Sequence, residues 1–259
     1  NLEAAAAAAA ATSAAGAATL EEEEEAIATR GEEVIVNGLP KSVEELLISI
    51  LGDPSKNETA PWTLRCKTLA AIRAICTDTD RVPPEHFQKL FSRLTGRILL
   101  QLTDRRSQVC KLGCLEIGAI VLSRKSDFLP FAAMFLTPLF SLAKITKKVI
   151  AEAASNLSFQ IIKHVADGRE GTIFSVIKAS CGDRARTVRR EGFRMVQATI
   201  KYHHNEGTLE RGPTAPETRK RFLELIRRGV DDSDAKTRSE SIRALVALKR
   251  AVPGQLGKK

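Results

Sequence analysis

A short motif returns along this chain at intervals that point to a repeat architecture. Asp104-Arg-Arg-Ser-Gln-Val109 aligns with Asp183-Arg-Ala-Arg-Thr-Val188, and Asp232-Ser-Asp-Ala-Lys-Thr237 fits the same frame with Thr in place of Val. Lys144-Ile-Thr-Lys-Lys-Val149 matches in position without the Asp, and Trp62-Thr-Leu64-Arg65 takes the corresponding place nearest the N-terminus. With Leu64, Val109, Val149, Val188 and Thr237 as equivalents, the steps are 45, 40, 39 and 49 residues. The period of HEAT and armadillo arrays is roughly 40–47 residues.

The motif has a physical logic. Its Asp can cap a helix by accepting bonds from the orphan amides of the first turn, and the Val that follows opens a buried stripe. Helical periodicity, broken by Pro, Gly and Asp, predicts helices at about 41–52, 61–78, 84–103, 105–124, 128–144, 146–165, 170–181, 185–203, 215–230 and 234–250. These ten pair into five hairpins. A helix inside a stack buries two faces, and the 105–124 segment offers two apolar lines: Val109, Leu112 and Leu115, then Cys110, Cys114, Ile117 and Val121. The polar insertion Asn205–Ala215 lengthens the last step and reads as a loop between the fourth and fifth hairpins. The predicted fold class is all-α, an α-solenoid of HEAT-like helical hairpins.

Composition agrees where it bears on the fold: 43% of residues are hydrophobic but only 5% aromatic, which favours Ala- and Leu-rich helices over sheet. Two segments are expected. Residues 1–40, with the alanine run Ala4–Ala11 and the block Glu21–Glu25, form a low-complexity acidic tail, and residues 41–259 form the repeat domain. The tail holds eight glutamates against Arg30 alone, a net charge of −7, whereas the rest holds 39 basic and 23 acidic residues, a net +16. A body so basic is suited to an acidic partner: tubulin, nucleic acid or anionic lipid. The tail is in turn expected to fold onto the basic body and weaken binding. No apolar run approaches the roughly 18 residues of a membrane span, and the start lacks the pattern of a secretory signal, so an intracellular protein without membrane contact is expected.

Catalysis finds little support. His86, His164, His203 and His204 have no partners at motif spacing, and neither a phosphate-cradling glycine loop nor a GxSxG or HExxH motif occurs. Cys66, Cys76, Cys110, Cys114 and Cys181 form no CxxC or zinc-spaced cluster and read as small core residues. The expectation is a binding protein with no cofactor and no metal.

In a stack the turns within hairpins line one edge, a natural binding surface. Here they carry Trp62 and Arg65, then Arg105, Arg106 and Ser107, then Lys147 and Lys148, then Arg184 and Arg186, and finally Lys236 and Arg238. A cation at a helix N-terminus opposes the helix dipole, so its return in every hairpin suggests a purpose other than helix stability. Trp62, the single tryptophan, follows Pro61 in a turn and suits an exposed anchor. Nucleic acid is the alternative partner: Arg184, Arg186, Arg189 and Arg190, or the run Arg219-Lys220-Arg221 with Arg227 and Arg228, can track phosphates. The scarcity of aromatic stacking platforms speaks against it. A general scaffold role is permitted by the fold alone.

Trp62-x-x-Arg65, Asp104-Arg-Arg-Ser-Gln-Val109, Lys148-Val-Ile-Ala151 and Asp231-Asp-Ser-Asp-Ala-Lys-Thr-Arg238 with Val252-Pro253 after it resemble the TOG domains of the CLASP family, over about residues 41–256. The resemblance implies a monomeric paddle of about six HEAT repeats on the cytoplasmic microtubule cytoskeleton, its turn edge gripping the αβ-tubulin dimer. Trp62 would then meet β-tubulin, and the later basic turns would meet acidic tubulin surface, those of the fifth reaching toward α-tubulin. Five hairpins are legible rather than six. A sixth would need residues after Pro253, or a split of the 128–144 helix.

Overall fold

The computed structural model describes residues 35–36, 39–52, 60–104, 106–165, 171–205 and 215–253. Most of the acidic tail, most of the first turn, Arg105 and most of the Asn205–Ala215 insertion lie outside them. The chain falls into two compact units, the first ending at Asp127 and the second beginning at Phe128.

Unit 1 opens with a two-residue antiparallel pairing of β1 (Ile35–Val36) and β2 (Leu39–Pro40). Four helices follow: α1 (Lys41–Leu51), α2 (Trp62–Thr77), α3 (Pro84–Leu102) and α4 (Ser107–Arg124). Gly52, at a φ of 51° that favours glycine, ends α1. Pro61 precedes the first residue of α2, and Pro84 is itself the first residue of α3, where a missing N–H costs nothing. First helices pack on first helices (α1 on α3), second on second (α2 on α4), and each hairpin closes on itself. Unit 2 repeats the scheme. A single 3-10 turn (Lys125–Phe128) leads into α5 (Leu129–Leu142), followed by α6 (Lys148–His164), α7 (Thr172–Cys181), α8 (Arg186–Asn205), α9 (Ala215–Val230) and α10 (Ala235–Ala251). There α5, α7 and α9 form one layer and α6, α8 and α10 the other. Each unit is thus a two-layer stack of hairpins, the α-solenoid arrangement. The described helices match the ten expected, with ends within two residues; α5 runs unbroken through Pro138, so no sixth repeat arises by splitting it.

The two-stripe expectation for α4 needs a correction. Cys110, Cys114, Ile117 and Val121 are buried, but Leu115 is 66% exposed and Leu122 also faces outward. The second buried stripe runs instead through Val109, Gly113, Glu116, Ile120 and Arg124. It is hard to see from hydrophobicity because three of its five members, Gly113, Glu116 and Arg124, are a glycine and two hydrogen-bonded charged residues. A Cβ on Gly113 would stand 2.8 Å from Leu102 Cδ2, so glycine lets α3 approach. Glu116 accepts from Arg73 Nε at 2.7 Å. Arg124 reaches the C-terminal end of α2, where its Nε donates to the Cys76 carbonyl and its Nη2 to that of Asp78 at 3.2 Å, while its guanidinium lies 4.8 Å from the Phe87 ring. It thereby satisfies carbonyls that the end of α2 leaves bare. Burial pushes its pKa below the usual arginine value.

Candidate functional site

The turns between first and second helices share one construction. Asp104 Oδ1 accepts the Arg106 N–H at 2.7 Å, Asp183 Oδ1 accepts the Ala185 N–H at 2.7 Å, and Asp232 Oδ1 accepts the Asp234 N–H at 2.8 Å. Each aspartate therefore closes a turn two residues ahead of itself, the Asx geometry, rather than capping the helix as expected. Among the motif aspartates, Asp234 is the one that caps its helix, accepting from the Thr237 N–H at 2.9 Å. The third turn was also misaligned by one residue. Lys147 is the N-cap of α6, so the buried equivalent of Val109 is Ile150, and Val149 stands exposed.

The same aspartates tie successive hairpins together. In unit 1, Asp104 pairs with Arg65 of the preceding hairpin at 2.8 Å. In unit 2, Asp183 pairs with Lys144 at 3.6 Å and Asp232 with Arg189 at 2.7 Å. Arg189 clasps both oxygens of Asp232, and Arg190 both oxygens of Asp234, the bidentate geometry that gives Arg pairs their strength. The hydrogen bonds from these arginines hold the Asp232 and Asp234 carboxyls below the usual carboxylate range and push the arginines up.

This construction divides the turn cations by helical position. Arg65, Arg189 and Arg238 are each the fourth residue of a second helix, and all three are engaged by the fold or by their own turn. Arg65 is 1% exposed; its Nη1 donates to Gln101 Oε1 and Asp104 Oδ2, and Gln101 Nε2 in turn donates to the Leu51 carbonyl at 2.9 Å. Arg238 Nη1 donates to the carbonyls of its own turn, Asp232 at 2.8 Å and Ser233 at 3.0 Å, as Arg189 does to Asp183 and Arg184. The expectation that Arg65 lies on an exposed contact edge is therefore corrected: it is a buried tie between hairpins. Arg238 is only partly exposed and engaged by its turn. The sequence signal was present in the shared register of Arg65 and Arg238 with Arg189.

What remains on the surface is a smaller set. In unit 1, Trp62 is the first residue of α2 and 38% exposed, and Arg106 is exposed as the N-cap of α4 with Ser107 half-buried beside it. Arg105 lies outside the described residues. In unit 2, Lys147, Lys148, Arg184, Arg186 and Lys236 are all exposed at helix starts. Lys148 makes a well-exposed pair with Glu152 at 3.5 Å, a weak interaction in water. No group of three or more metal-ligating side chains occurs among the described residues. The cysteines are free thiols; four are buried, and burial pushes Cys76 up to about 12, far from a thiolate nucleophile. No described helix is long and apolar enough to cross a membrane.

Comparison with known proteins identifies the family. The family model described as CLASP N terminal matches residues 39–256. A CLIP-associated protein of Arabidopsis thaliana is 27% identical over 192 residues, 69% of this chain and 12% of that protein. CLIP-associating protein 1-B of Xenopus laevis is 26% identical over 179 residues, 68% of this chain and 11% of that one. Protein CLASP-3 of Caenorhabditis elegans is 22% identical over 194 residues, 74% of this chain and 19% of that one. The chain thus spans less than a fifth of the length of each of these relatives. Among solved structures, a designed armadillo repeat protein in complex with a (KR)4 peptide is similar over 80% of this chain and 82% of its own, with 15% identity and a TM-score of 0.43. With the family matched over nearly its whole described length, the chain belongs to the CLASP N-terminal family.

Proposed function

We propose that this chain is a non-catalytic module of a microtubule regulator that binds αβ-tubulin through its intra-hairpin turns. The observation that carries the reading is Trp62: the only tryptophan stands exposed at the start of α2, where the fold has no packing use for its full surface. Aromatic anchors of this kind dominate protein interfaces. Besides Trp62, the reading assigns Arg106 in unit 1 and Lys147, Lys148, Arg184, Arg186 and Lys236 in unit 2 to acidic tubulin surface, where exposed cations act on association rate and salt dependence more than on intrinsic affinity. Family membership supports tubulin over other acidic partners, and the relatives' names place CLIP-associating proteins in the same group. The cytoskeletal location follows from the same reading.

Co-elution of the full chain with unpolymerised tubulin at low and moderate salt is the test. Trp62→Ala is expected to weaken binding at both salts, and Arg106→Glu mainly at low salt, both with an unchanged melting temperature. Two folded variants that bind as well as wild type would overturn the turn-edge reading. Tighter binding to a random oligonucleotide than to tubulin, with a steep salt slope, would point to nucleic acid instead.

A further inference from the structure

Unit 2 carries a groove that starts at the turn cations Lys148 and Lys236 and extends along the second helices. It runs over α6, α8 and α10, has a volume of about 870 Å³, and is lined by Ser155 and Asn156, Arg194, and Ser239, Glu240 and Arg243 among others. A second hollow of about 410 Å³ lies between α8 and α10, and Arg243 lines both. The two differ in character. Five cations face the first against three carboxylates, Glu152, Glu191 and Glu240. The second has an apolar floor of Ile200, Ile242, Val246, Ala247 and Ala251, with Lys201 and Arg250 beside it. Ile242 and Val246 are both exposed, although a solvated helix face has no need of them.

The carboxylates do not neutralise the groove. Glu191 is buried and held by Ser155 Oγ at 2.5 Å and Arg194 at 3.0 Å. The Glu152–Lys148 pair is a well-exposed contact one helical turn apart, which water and an incoming anion readily displace, whereas in the Glu240–Arg243 pair the carboxylate is largely covered and the arginine keeps 62% of its side chain exposed. Arg190 is already clasped by Asp234, so the cations a ligand can reach are Lys236, which forms no ion pair among the described residues, and Arg194, Arg243 and Lys148, whose side chains stay more than half exposed beside their glutamates. Ser155, Asn156 and Ser239 add hydroxyl and amide groups able to bond a peptide backbone.

We propose that this groove docks an extended acidic peptide that carries apolar residues at one end. Its carboxylates lie over Arg194 and Arg243, and its apolar residues settle on Ile242 and Val246. Charge complementarity chooses the acidic half, and the exposed apolar pair rimmed by cations chooses the other. The groove shares Lys148 and Lys236 with the turn edge, but the residues that define the peptide site, Arg194, Arg243, Ile242 and Val246, are distinct from Trp62 and Arg106 and from the other turn cations.

The test is fluorescence anisotropy of a fluorescein-labelled, glutamate-rich peptide ending in Leu-Ala-Leu, titrated with the full chain at physiological salt. Arg243→Glu and Val246→Asp should each weaken binding by about tenfold or more, and Glu240→Gln should tighten it. Trp62→Ala should leave peptide affinity unchanged, while Arg243→Glu should leave tubulin co-elution unchanged, so the two proposals fail separately. Both Arg243 and Val246 are exposed, and a melting scan verifies that the variants fold. The proposal is overturned if no binding is measured, if either variant binds as well as wild type, or if replacing the leucines by serines changes nothing. Equal affinity for a random oligonucleotide, which would mark the groove as a general polyanion surface, also overturns it.

Discussion

Arg65→Met separates a buried tie from a surface contact. The substitution keeps most of the side-chain volume and removes the charge. It strips Asp104 Oδ2 and Gln101 Oε1 of their donor, although Asp104 Oδ1 keeps the Arg106 N–H and Gln101 Nε2 keeps the Leu51 carbonyl. The two charged side chains are 2% and 8% exposed, and removing one partner of a buried pair costs about 3–5 kcal/mol. Part of that is returned, because Arg65 Nε is buried without an acceptor among the described residues, and losing such an orphan relieves about 1 kcal/mol. The net expectation is about 2–4 kcal/mol. With a urea slope of about 2 kcal/mol/M, the midpoint falls by roughly 1–2 M. Trp62, the single tryptophan, lies three residues away on the same helix, so its fluorescence follows the unit concerned while circular dichroism follows the whole chain. Adding Asp104→Asn should recover part of the loss, because the orphaned charge goes with it. A stability within about 0.5 kcal/mol of wild type, together with lost tubulin binding, would refute the assignment and return Arg65 to the surface.

Further outcomes follow from the packing. Gly192→Ala brings a Cβ to 2.9 Å from the Cys181 backbone nitrogen; backbone yields poorly, and a loss of about 1–3 kcal/mol is expected by thermal denaturation. Leu115→Glu should change stability by no more than about 0.5 kcal/mol, since that leucine faces outward; a larger loss would restore the apolar line first expected for α4. Arg238→Ala should lower the melting temperature through its lost turn bonds, whereas Lys236→Ala should leave it unchanged and weaken tubulin binding only at low salt. Acid titration should destabilise unit 2. The Asp232 and Asp234 carboxyls are held below their unfolded value of about 3.9, so the stability they contribute is present above that pH and lost as pH falls through their folded pKa. In Asp232→Asn the acid limb should flatten.

Element existence was legible because a stack demands strong helical periodicity on every helix, and ends marked by Pro, Gly and Asp restricted the boundaries. Burial inside α4 was less so. Leu112 and Leu115 look like a stripe, yet the packed face is Gly113, Glu116 and Arg124, where close approach and paired charge replace hydrophobic bulk. The Asp of the motif was legible as a turn former but not in its role, since a one-residue choice of N-cap decides whether it caps or closes the turn. Lys144 aligned by similarity of neighbours rather than by cap geometry, which moved the third frame by one position.

The cations at the helix starts carry the functional argument once position is taken into account. A positive charge in the first turn opposes the helix dipole by about 0.3–1 kcal/mol. Arg65 and Arg189 recover more than that through carboxylates of the next hairpin, and Arg238 recovers part of it through the carbonyls of its own turn. Arg106, Arg184, Arg186 and Lys236 form no ion pair among the described residues and stand in solvent. Fold stability therefore accounts for the arginine in the fourth helical position and leaves the earlier cations unaccounted for. Under the proposed tubulin reading, an external acidic surface would supply what the fold does not, beside the exposed tryptophan in unit 1 and at the second-helix starts of unit 2. Charge reversal at Arg186 should consequently raise, not lower, the stability of the isolated chain by a few tenths of a kcal/mol while weakening its hold on tubulin at low salt.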